Sequence, residues 1–224
     1  MSWPQENALL TLYTFFRSSA AYRVRIALNY KGIAYEPKYI WLPGDEHLSD
    51  TYRQVNPQAL VPALVDGPKV LNQSMAIIEY LDETQPGPKL LPVDPIGRAR
   101  ARALAQLIAC EIHPVNNMRV LKYLRGTLKL HEDSVNDWYR YWVSEGLASY
   151  ERQLQDGKSG AFSHGDALSI ADVCLMPQIY NANRFKVDLS PFPMTMAIHD
   201  RVLKLPAVVA AHPDTQPDAA RLKG

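Results

Sequence analysis

The chain has 224 residues, of which 47% are hydrophobic and 21% charged, enough apolar material for the core of one large domain or two small ones. This composition excludes disorder throughout the chain. Lys and Arg number 24 against 23 Asp and Glu, so the net charge of +1 offers no general attraction to a phosphate backbone or an anionic membrane. We therefore expect neither nucleic acid nor a membrane as a partner.

The chain carries two cysteines, Cys110 and Cys174, and both lie in apolar, helix-like runs. A secreted disulfide framework would need more cysteines at loop positions. The first ten residues lack the basic and apolar regions of a signal peptide, and the longest apolar runs are too short to span a membrane. These features predict a cytoplasmic protein.

Strand-like and helix-like segments alternate in the early part of the chain. Residues 8–16 are apolar and β-prone, and residues 34–41 form a second extended run. Between them, residues 20–31 carry apolar side chains at helical spacing, and Gly32 is a helix stop. Because the connections are short, these segments predict a βαβ unit with parallel strands and a right-handed crossover.

A hairpin and another helix follow. Residues 61–66 and 69–72 are short strands around the turn-forming trio Asp66-Gly67-Pro68, which predicts antiparallel pairing. Ser74 is the expected N-cap of a helix with apolar side chains between residues 77 and 81. Strands and helices of this kind predict a small α/β domain.

The second half of the chain is predicted to be helical. Three prolines and a glycine within residues 84–92 mark a linker, beyond which the β signal disappears. Pro114 is expected to bend or break the first long helix, and residues 169–172 (SIAD) form a capping-box-like helix start.

These elements predict an α/β domain over residues 8–86 and an all-α domain over residues 94–212. Residues 1–7 and 213–224 are predicted to be flexible termini, the latter because Pro, Asp and Gln are frequent there.

Three candidate segments stand at strand ends of the α/β part, where open sheets bind their ligands. Arg17-Ser18-Ser19 lies where a strand meets a helix, so hydroxyls and free backbone N–H groups favour an anion, unless one serine merely caps the helix. Gln73-Ser74 is a second such junction, suited to an amino-acid-like carboxylate or again to capping alone. At Val61-Pro62 a cis bond would turn the preceding backbone outward, a plain edge-strand proline being the alternative.

At these residues the chain resembles the cytosolic glutathione transferases. Residues 17–28, RSSAAYRVRIAL, are similar to the signature of the zeta class, which contains the maleylacetoacetate and maleylpyruvate isomerases. The likeness extends to Asn56-Pro57 and to residues 73–81, 112–117 and 183–189. The resemblance implies a thioredoxin-like α/β domain followed by an all-α domain, with glutathione as cofactor and a homodimer as the assembly.

The resemblance also implies roles for residues of the α/β domain. Ser18 and Ser19 would face the glutathione sulfur, and the Val61 backbone would pair with the cysteinyl unit. Gln73 and Ser74 would hold the γ-glutamyl end.

Two further positions belong to the glutathione site that the resemblance implies. His47 lies where some relatives contact the glycyl carboxylate, a solvated loop histidine being the alternative. Ala20 stands where many zeta members have cysteine, a departure that bears on thiol-dependent side reactivity more than on isomerisation.

The helical half is expected to shape the second substrate site. Around the Pro114 bend, Glu111, His113 and Asn117 are candidate contacts to glutathione, although His113 is equally suited to helix packing. Glu111 and His113 do not form a set of metal ligands, so we expect no metal.

Three arginines, Arg17, Arg119 and Arg184, are the expected clamps for a small dicarboxylate, because guanidinium groups bind carboxylates through two parallel hydrogen bonds. Arg119 is equally suited to a solvated helix face. With Ser18 and Ser19, Arg17 is also assigned to catalysis.

The leading hypothesis is glutathione-dependent isomerisation of maleylacetoacetate to fumarylacetoacetate, with maleylpyruvate as the close alternative substrate. A second hypothesis is a transferase that conjugates glutathione to small electrophiles or dehalogenates α-halo acids. A non-catalytic glutathione-transferase-like scaffold is the third.

Overall fold

A computed structural model of the chain describes residues 9–222. Strands and helices alternate first, and only helices follow. The first elements are β1 (Leu10–Thr14), α1 (Ser19–Lys31), β2 (Tyr35–Tyr39), α2 (Asp50–Val55), β3 (Ala63–Asp66), β4 (Lys69–Asn72) and α3 (Ser74–Thr84). The later helices are α4 (Pro95–Gln106), α5 (His113–Val115), α6 (Met118–Gly126), α7 (Glu132–Leu154), α8 (Ile170–Arg184), α9 (Pro193–Val202) and α10 (Pro206–Ala211).

The four strands form one mixed sheet in the order β2-β1-β3-β4. β1 pairs in parallel with β2, whereas β3 is antiparallel to both β1 and β4. Leu12 at the centre of β1 lies opposite Leu64, and both side chains are fully buried. The sheet confirms the predicted parallel βαβ pairing and the antiparallel hairpin.

Helix α1 is buried on nearly all sides, including three of its cations. It ends at Gly32, whose φ of 69° is the left-handed conformation that glycine adopts without steric cost, as the sequence predicts. Lys31, its last residue, is buried and places its ammonium 3.2 Å from Asp82 of α3 and 3.1 Å from the Pro88 carbonyl. A buried ion pair therefore joins the ends of α1 and α3.

One helix of the α/β part is not predicted from the sequence. Between β2 and β3 the chain forms α2, preceded by two short 3₁₀ turns over residues 42–44 and 46–48. The Ser49 hydroxyl caps α2 by accepting from the Tyr52 amide at 3.2 Å. Ser49 followed by Asp50 in the first turn is the sequence signal that would have indicated this helix.

Pro114 perturbs the first long helix, as expected. α4 runs into a π-helical segment, Leu107–Ile112, before α5, and the helix ends after Val115. Proline lacks an amide hydrogen and its ring clashes with the carbonyl four residues earlier, which a π-type register accommodates. No helix among residues 9–222 has both the length and the apolar composition needed to cross a membrane.

The predicted capping box at the start of α8 is confirmed. Asp172 accepts from the amide and the hydroxyl of Ser169 and from the amide of Ser163, each at 2.8 Å. The carboxyl group is completely buried, and this burial raises its pKa. Three donors on one carboxylate thus hold the beginning of α8.

The chain divides into two compact units that differ from the predicted boundaries. One unit comprises the described residues up to Pro88 together with those from Pro206 onward, and the other is Lys89–Leu205. α10, predicted as part of the helical domain, instead packs on α1, where Asn29 donates to the Ala207 carbonyl at 3.2 Å. Helical periodicity shows that a segment is a helix, but not which domain it joins.

The C-terminal segment after α10 also differs from the loosely held tail expected from its composition. Residues 213–215 and 217–222 form 3₁₀ helices, and Pro213 and Asp218 are buried. The other predicted flexible residues, 1–7 and 223–224, lie outside the described residues.

Candidate functional site

The sheet register brings four chain segments to one edge. Thr14 at the end of β1 lies opposite Tyr39 at the end of β2. Ala63 at the start of β3 lies between Tyr13 and Asn72, the last residue of β4. The residues directly after β1, before β3 and after β4 therefore share this edge. They are the three junctions that the sequence singles out.

A tight turn leads from β1 into α1 and carries the first junction. The Ser18 amide donates to the Phe15 carbonyl at 3.0 Å, and the Ser18 hydroxyl caps α1 by accepting from the Ala21 amide at 3.2 Å. The capping role is therefore confirmed. A hydroxyl has one donor and two acceptor positions, so the cap leaves its proton available to an anion.

Exposure distinguishes the neighbouring side chains of this turn. Ser18 and Arg17 are half-buried, whereas Ser19 is buried at 6% exposure. The Arg17 guanidinium carbon lies 5.5 Å from the centre of the Phe16 ring. Ala20 is half-buried and contributes only a methyl group. Ser18 is thus the more exposed of the two serines, while Ser19 is the first residue of α1.

The Val61-Pro62 bond is cis, which confirms that prediction. Val61 is buried, and the Leu60 carbonyl before it accepts from the Tyr52 hydroxyl at 2.6 Å and from the Asn56 amide side chain at 2.7 Å. Burial raises the pKa of Tyr52, so its phenol remains a donor at neutral pH. Sequence reasoning missed the supporting role of Tyr52.

At the third junction Gln73, rather than the predicted Ser74, is the N-cap of α3. Ser74 is the first helical residue, and its buried hydroxyl accepts from Arg23 of α1 at 3.2 Å. Gln73 is exposed, has a φ of 68°, and donates from its side-chain amide to Gln58 at 2.9 Å. A positive φ is uncommon for a non-glycine residue, and such strained positions cluster at functional sites. Arg23 and Gln58 were not singled out from the sequence.

His47 lies in the second 3₁₀ turn, Glu46–Leu48, with only 7% of its surface exposed. The alternative of a solvated loop histidine is therefore wrong. The turn is anchored by Glu46, whose carboxylate accepts from the Trp41 amide at 2.6 Å.

In the helical unit, the structure brings two of the predicted residues together around Pro114. The side chains of His113 and Asn117 lie 3.4 Å apart. Asn117 also caps α6 by accepting from the Arg119 amide at 3.0 Å. Glu111 is exposed on the π-helical segment. Among residues 9–222, no three His, Cys, Asp or Glu side chains form a group that could hold a metal.

The two arginines of the helical unit are exposed. Arg119 lies in the first turn of α6 and Arg184 at the end of α8. Arg184 donates to the Asn181 side chain at 3.2 Å and lies 5.7 Å from the Phe185 ring centre. The Phe185 ring in turn stacks on Tyr139 at 3.6 Å. Arg184 is thus held on one side while remaining open to a carboxylate.

Comparison with known proteins identifies similar chains. Residues 12–89 match the family model for the glutathione S-transferase N-terminal domain. The chain is 48% identical over 212 residues to the maleylpyruvate isomerase of a Ralstonia species, covering 94% of this chain and 100% of the relative.

Solved structures are similar over nearly the whole chain. A holo maleylpyruvate isomerase, a bacterial glutathione S-transferase of the zeta class, has a TM-score of 0.91 at 48% identity and covers 93% of this chain and 99% of its own. A maleylacetoacetate isomerase from Anaeromyxobacter dehalogenans, with dicarboxyethyl glutathione and citrate bound in its active site, has a TM-score of 0.85 at 42% identity. It covers 96% of this chain and 95% of its own.

Proposed function

Because the chain belongs to the glutathione S-transferase family, and within it to the zeta class of maleylacetoacetate and maleylpyruvate isomerases, we propose that it catalyses the glutathione-dependent cis–trans isomerisation of maleylacetoacetate to fumarylacetoacetate. The close alternative is the same reaction on maleylpyruvate. The observation that carries the proposal is the hydroxyl of half-buried Ser18, which caps α1 as an acceptor and keeps its proton available at this sheet edge, where α1 begins.

The residues at this edge fit glutathione. The tripeptide carries a thiol and two carboxylates, and the edge offers the Ser18 hydroxyl, the Ser74 hydroxyl and the amides that begin α1 and α3. The Ser74 hydroxyl accepts from Arg23, so its own proton remains available for a carboxylate. We assign Gln73 and Ser74 to the γ-glutamyl end, the Val61 backbone to the cysteinyl unit and His47 to the glycyl end, with Ser19 and Ala20 in the turn next to the sulfur.

When bound, glutathione supplies a sulfur nucleophile that adds to the substrate double bond and leaves again, so that rotation takes place about a single bond. Ser18 stabilises the thiolate form by donating a hydrogen bond from its hydroxyl to sulfur, and the first amides of α1 favour the same negative charge. Arg17, Arg119 and Arg184 hold the substrate carboxylates and stabilise the enolate formed on addition. Glu111, His113 and Asn117 are assigned to contacts with glutathione.

Dicarboxyethyl glutathione in the Anaeromyxobacter relative supports a dicarboxylate substrate, because that molecule carries two carboxylates on the group attached to sulfur. For this chain we further propose a homodimer located in the cytoplasm, as its family membership implies. Light scattering of the purified protein tests the dimer, and a monomer mass would contradict it.

The function is tested by the ultraviolet absorbance of maleylacetoacetate and of maleylpyruvate, each with the protein and with or without glutathione. We expect decay that requires glutathione while the free thiol concentration stays constant. The faster substrate identifies the physiological one. Consumption of thiol would instead establish conjugation, and no decay with either acid would overturn the isomerase proposal.

Arg184 provides a test of the substrate site. We expect Arg184→Met to raise KM for the maleyl substrate about tenfold or more, because a hydrogen bond to a charged group contributes about 1.5–3 kcal/mol. KM for glutathione should stay unchanged. Arg152→Met, which removes an exposed arginine from α7, is the matched control and should leave both constants unaffected. If Arg184→Met and Arg152→Met had the same KM for the maleyl substrate, Arg184 would not bind that substrate.

A further inference from the structure

Charged side chains hold the backbone that leads into Ser18. The Phe16 amide donates to Asp218 at 2.8 Å, and the Phe16 carbonyl accepts from Arg25 at 2.8 Å. The Phe15 carbonyl accepts from both the Ser18 amide at 3.0 Å and Arg25 at 3.3 Å. The turn between β1 and α1 is therefore fixed from outside by one cation and one carboxylate.

Arg25 connects this turn to the last helix of the unit. Its guanidinium also donates to the Thr14 hydroxyl at 3.0 Å and to the Ala211 carbonyl at the end of α10 at 3.1 Å. Burial lowers the pKa of Arg25 to about 10, which leaves the group protonated at neutral pH. Arg25 thus connects, through hydrogen bonds from a charged group, the end of β1 with the end of α10, where the C-terminal segment begins.

Two further residues of the C-terminal segment, Ala219 and Arg221, hold it beside this turn. Ala219 packs on the cluster formed by the Phe15 and Phe16 rings. The Arg221 guanidinium lies 4.6 Å from the Trp41 ring centre and donates to Glu46 at 3.1 Å. These contacts lie directly after Asp218 in the chain and keep its carboxylate next to the Phe16 amide.

We infer that Asp218 is a positioning residue for the reaction, which orients the Ser18 hydroxyl and the first amides of α1 through the backbone of Phe16. The inference rests on the proposed function, since it concerns the same sulfur site. Donors that stabilise a developing or fixed charge must be held within about 0.5 Å of their productive positions. Asp218 accepts a hydrogen bond from the amide of Phe16, two residues before Ser18. The Ser18 amide donates to the Phe15 carbonyl in the same turn. A shift of Phe16 is therefore passed directly to Ser18.

The carboxylate matters here as an acceptor rather than as a charge. Burial raises the pKa of Asp218, while the Phe16 amide, Arg25 and Arg221 oppose that rise. Asparagine in its place would retain an oxygen that accepts from the Phe16 amide but would carry no charge. Alanine would remove both the acceptor and the charge. Comparison of the two variants separates positioning from electrostatics.

The test measures the pKa of the glutathione thiol in its complex with the full-length protein, by titration of the thiolate absorbance, together with kcat for the maleyl substrate. We expect Asp218→Ala to raise the thiol pKa and to lower kcat near pH 7 about tenfold, with recovery at higher pH. Asp218→Asn should stay close to the parent protein. Asp214→Ala is the matched control, because it removes another carboxylate of the same segment whose side chain is 69% exposed.

A thiol pKa in Asp218→Ala equal to that of the parent protein would overturn the inference, even if the variant were less stable to heat. A rise of the thiol pKa in Asp218→Asn as large as that in Asp218→Ala would also overturn it, because an acceptor for the Phe16 amide would then not be what matters. A fall of the thiol pKa in both variants would overturn it too, because removal of a negative charge favours the thiolate and charge would then be the cause. If the parent protein itself shows no glutathione thiolate, the proposed function fails instead. The two failures are therefore distinguishable.

Discussion

Ser18→Ala is expected to lower kcat for the glutathione-dependent isomerisation by about a hundredfold near pH 7, the size of effect that follows removal of one donor to a reacting anion. The Ser18 hydroxyl accepts from the Ala21 amide and keeps its proton available. In the proposed mechanism this proton forms the hydrogen bond to the glutathione sulfur. Without that donor, the thiol pKa should move toward about 8.5, the value of a free thiol, so less thiolate is present at neutral pH. The pH profile of kcat should shift to higher pH accordingly, and activity should recover partly above pH 8.5.

Capping and the proposed contact with sulfur involve the same hydroxyl, and a second variant separates them. Alanine at an N-cap costs about 1 kcal/mol of stability, whereas glycine costs only a few tenths of a kcal/mol. Ser18→Gly should therefore lose as much activity as Ser18→Ala while unfolding close to the parent protein. Ser18→Thr, which keeps a hydroxyl, should retain most activity. Full activity in Ser18→Gly would show that the hydroxyl serves the helix alone.

Ser19→Ala is the neighbouring control. Ser19 is the first residue of α1, and the contribution that we propose for it is its backbone amide, which alanine keeps. We expect its kcat to fall far less than that of Ser18→Ala. The prediction thus gives different weights to two serines that the sequence presents as equivalent.

Interactions between near neighbours in sequence account for the successful predictions. Gly32 ends α1, Asp172 closes the capping box and Pro114 disturbs its helix, because each effect depends on residues within about one turn. The three junctions of the site also follow from strand ends in one sheet.

What the sequence could not predict depends on contacts between distant residues. Asp218 and Phe16 are separated by 202 positions, and Arg23 meets Ser74 across 51. Their side chains belong to segments whose local patterns look like a polar tail and an ordinary helix face. Only the folded chain shows that α10 and the residues after it support the turn at Ser18.

Loss of one partner from the pair Lys31–Asp82 should destabilise the protein more than loss of one partner from any other ion pair described above. The Lys31 and Asp82 side chains are 0% and 6% exposed, and Asp82→Asn would leave the ammonium buried without its counter-charge. We expect a loss of about 3–5 kcal/mol in the free energy of unfolding, measured by urea denaturation. Asp137→Asn breaks a pair with Arg140 whose side chains are 75% and 41% exposed, and should cost less than about 1 kcal/mol.

The double variant Lys31→Met/Asp82→Leu shows whether the loss comes from the uncompensated charge. Two apolar side chains of similar volume remove both desolvated ions, so the double variant should regain most of the stability that Asp82→Asn loses. Lys31 and Asp82 lie at the opposite ends of α1 and α3 from Ser19 and Ser74, so KM for glutathione should stay unchanged wherever the variants remain folded. Equal destabilisation by Asp82→Asn and by the double variant would instead show that the ion pair itself, rather than avoidance of a lone buried charge, stabilises the two helices.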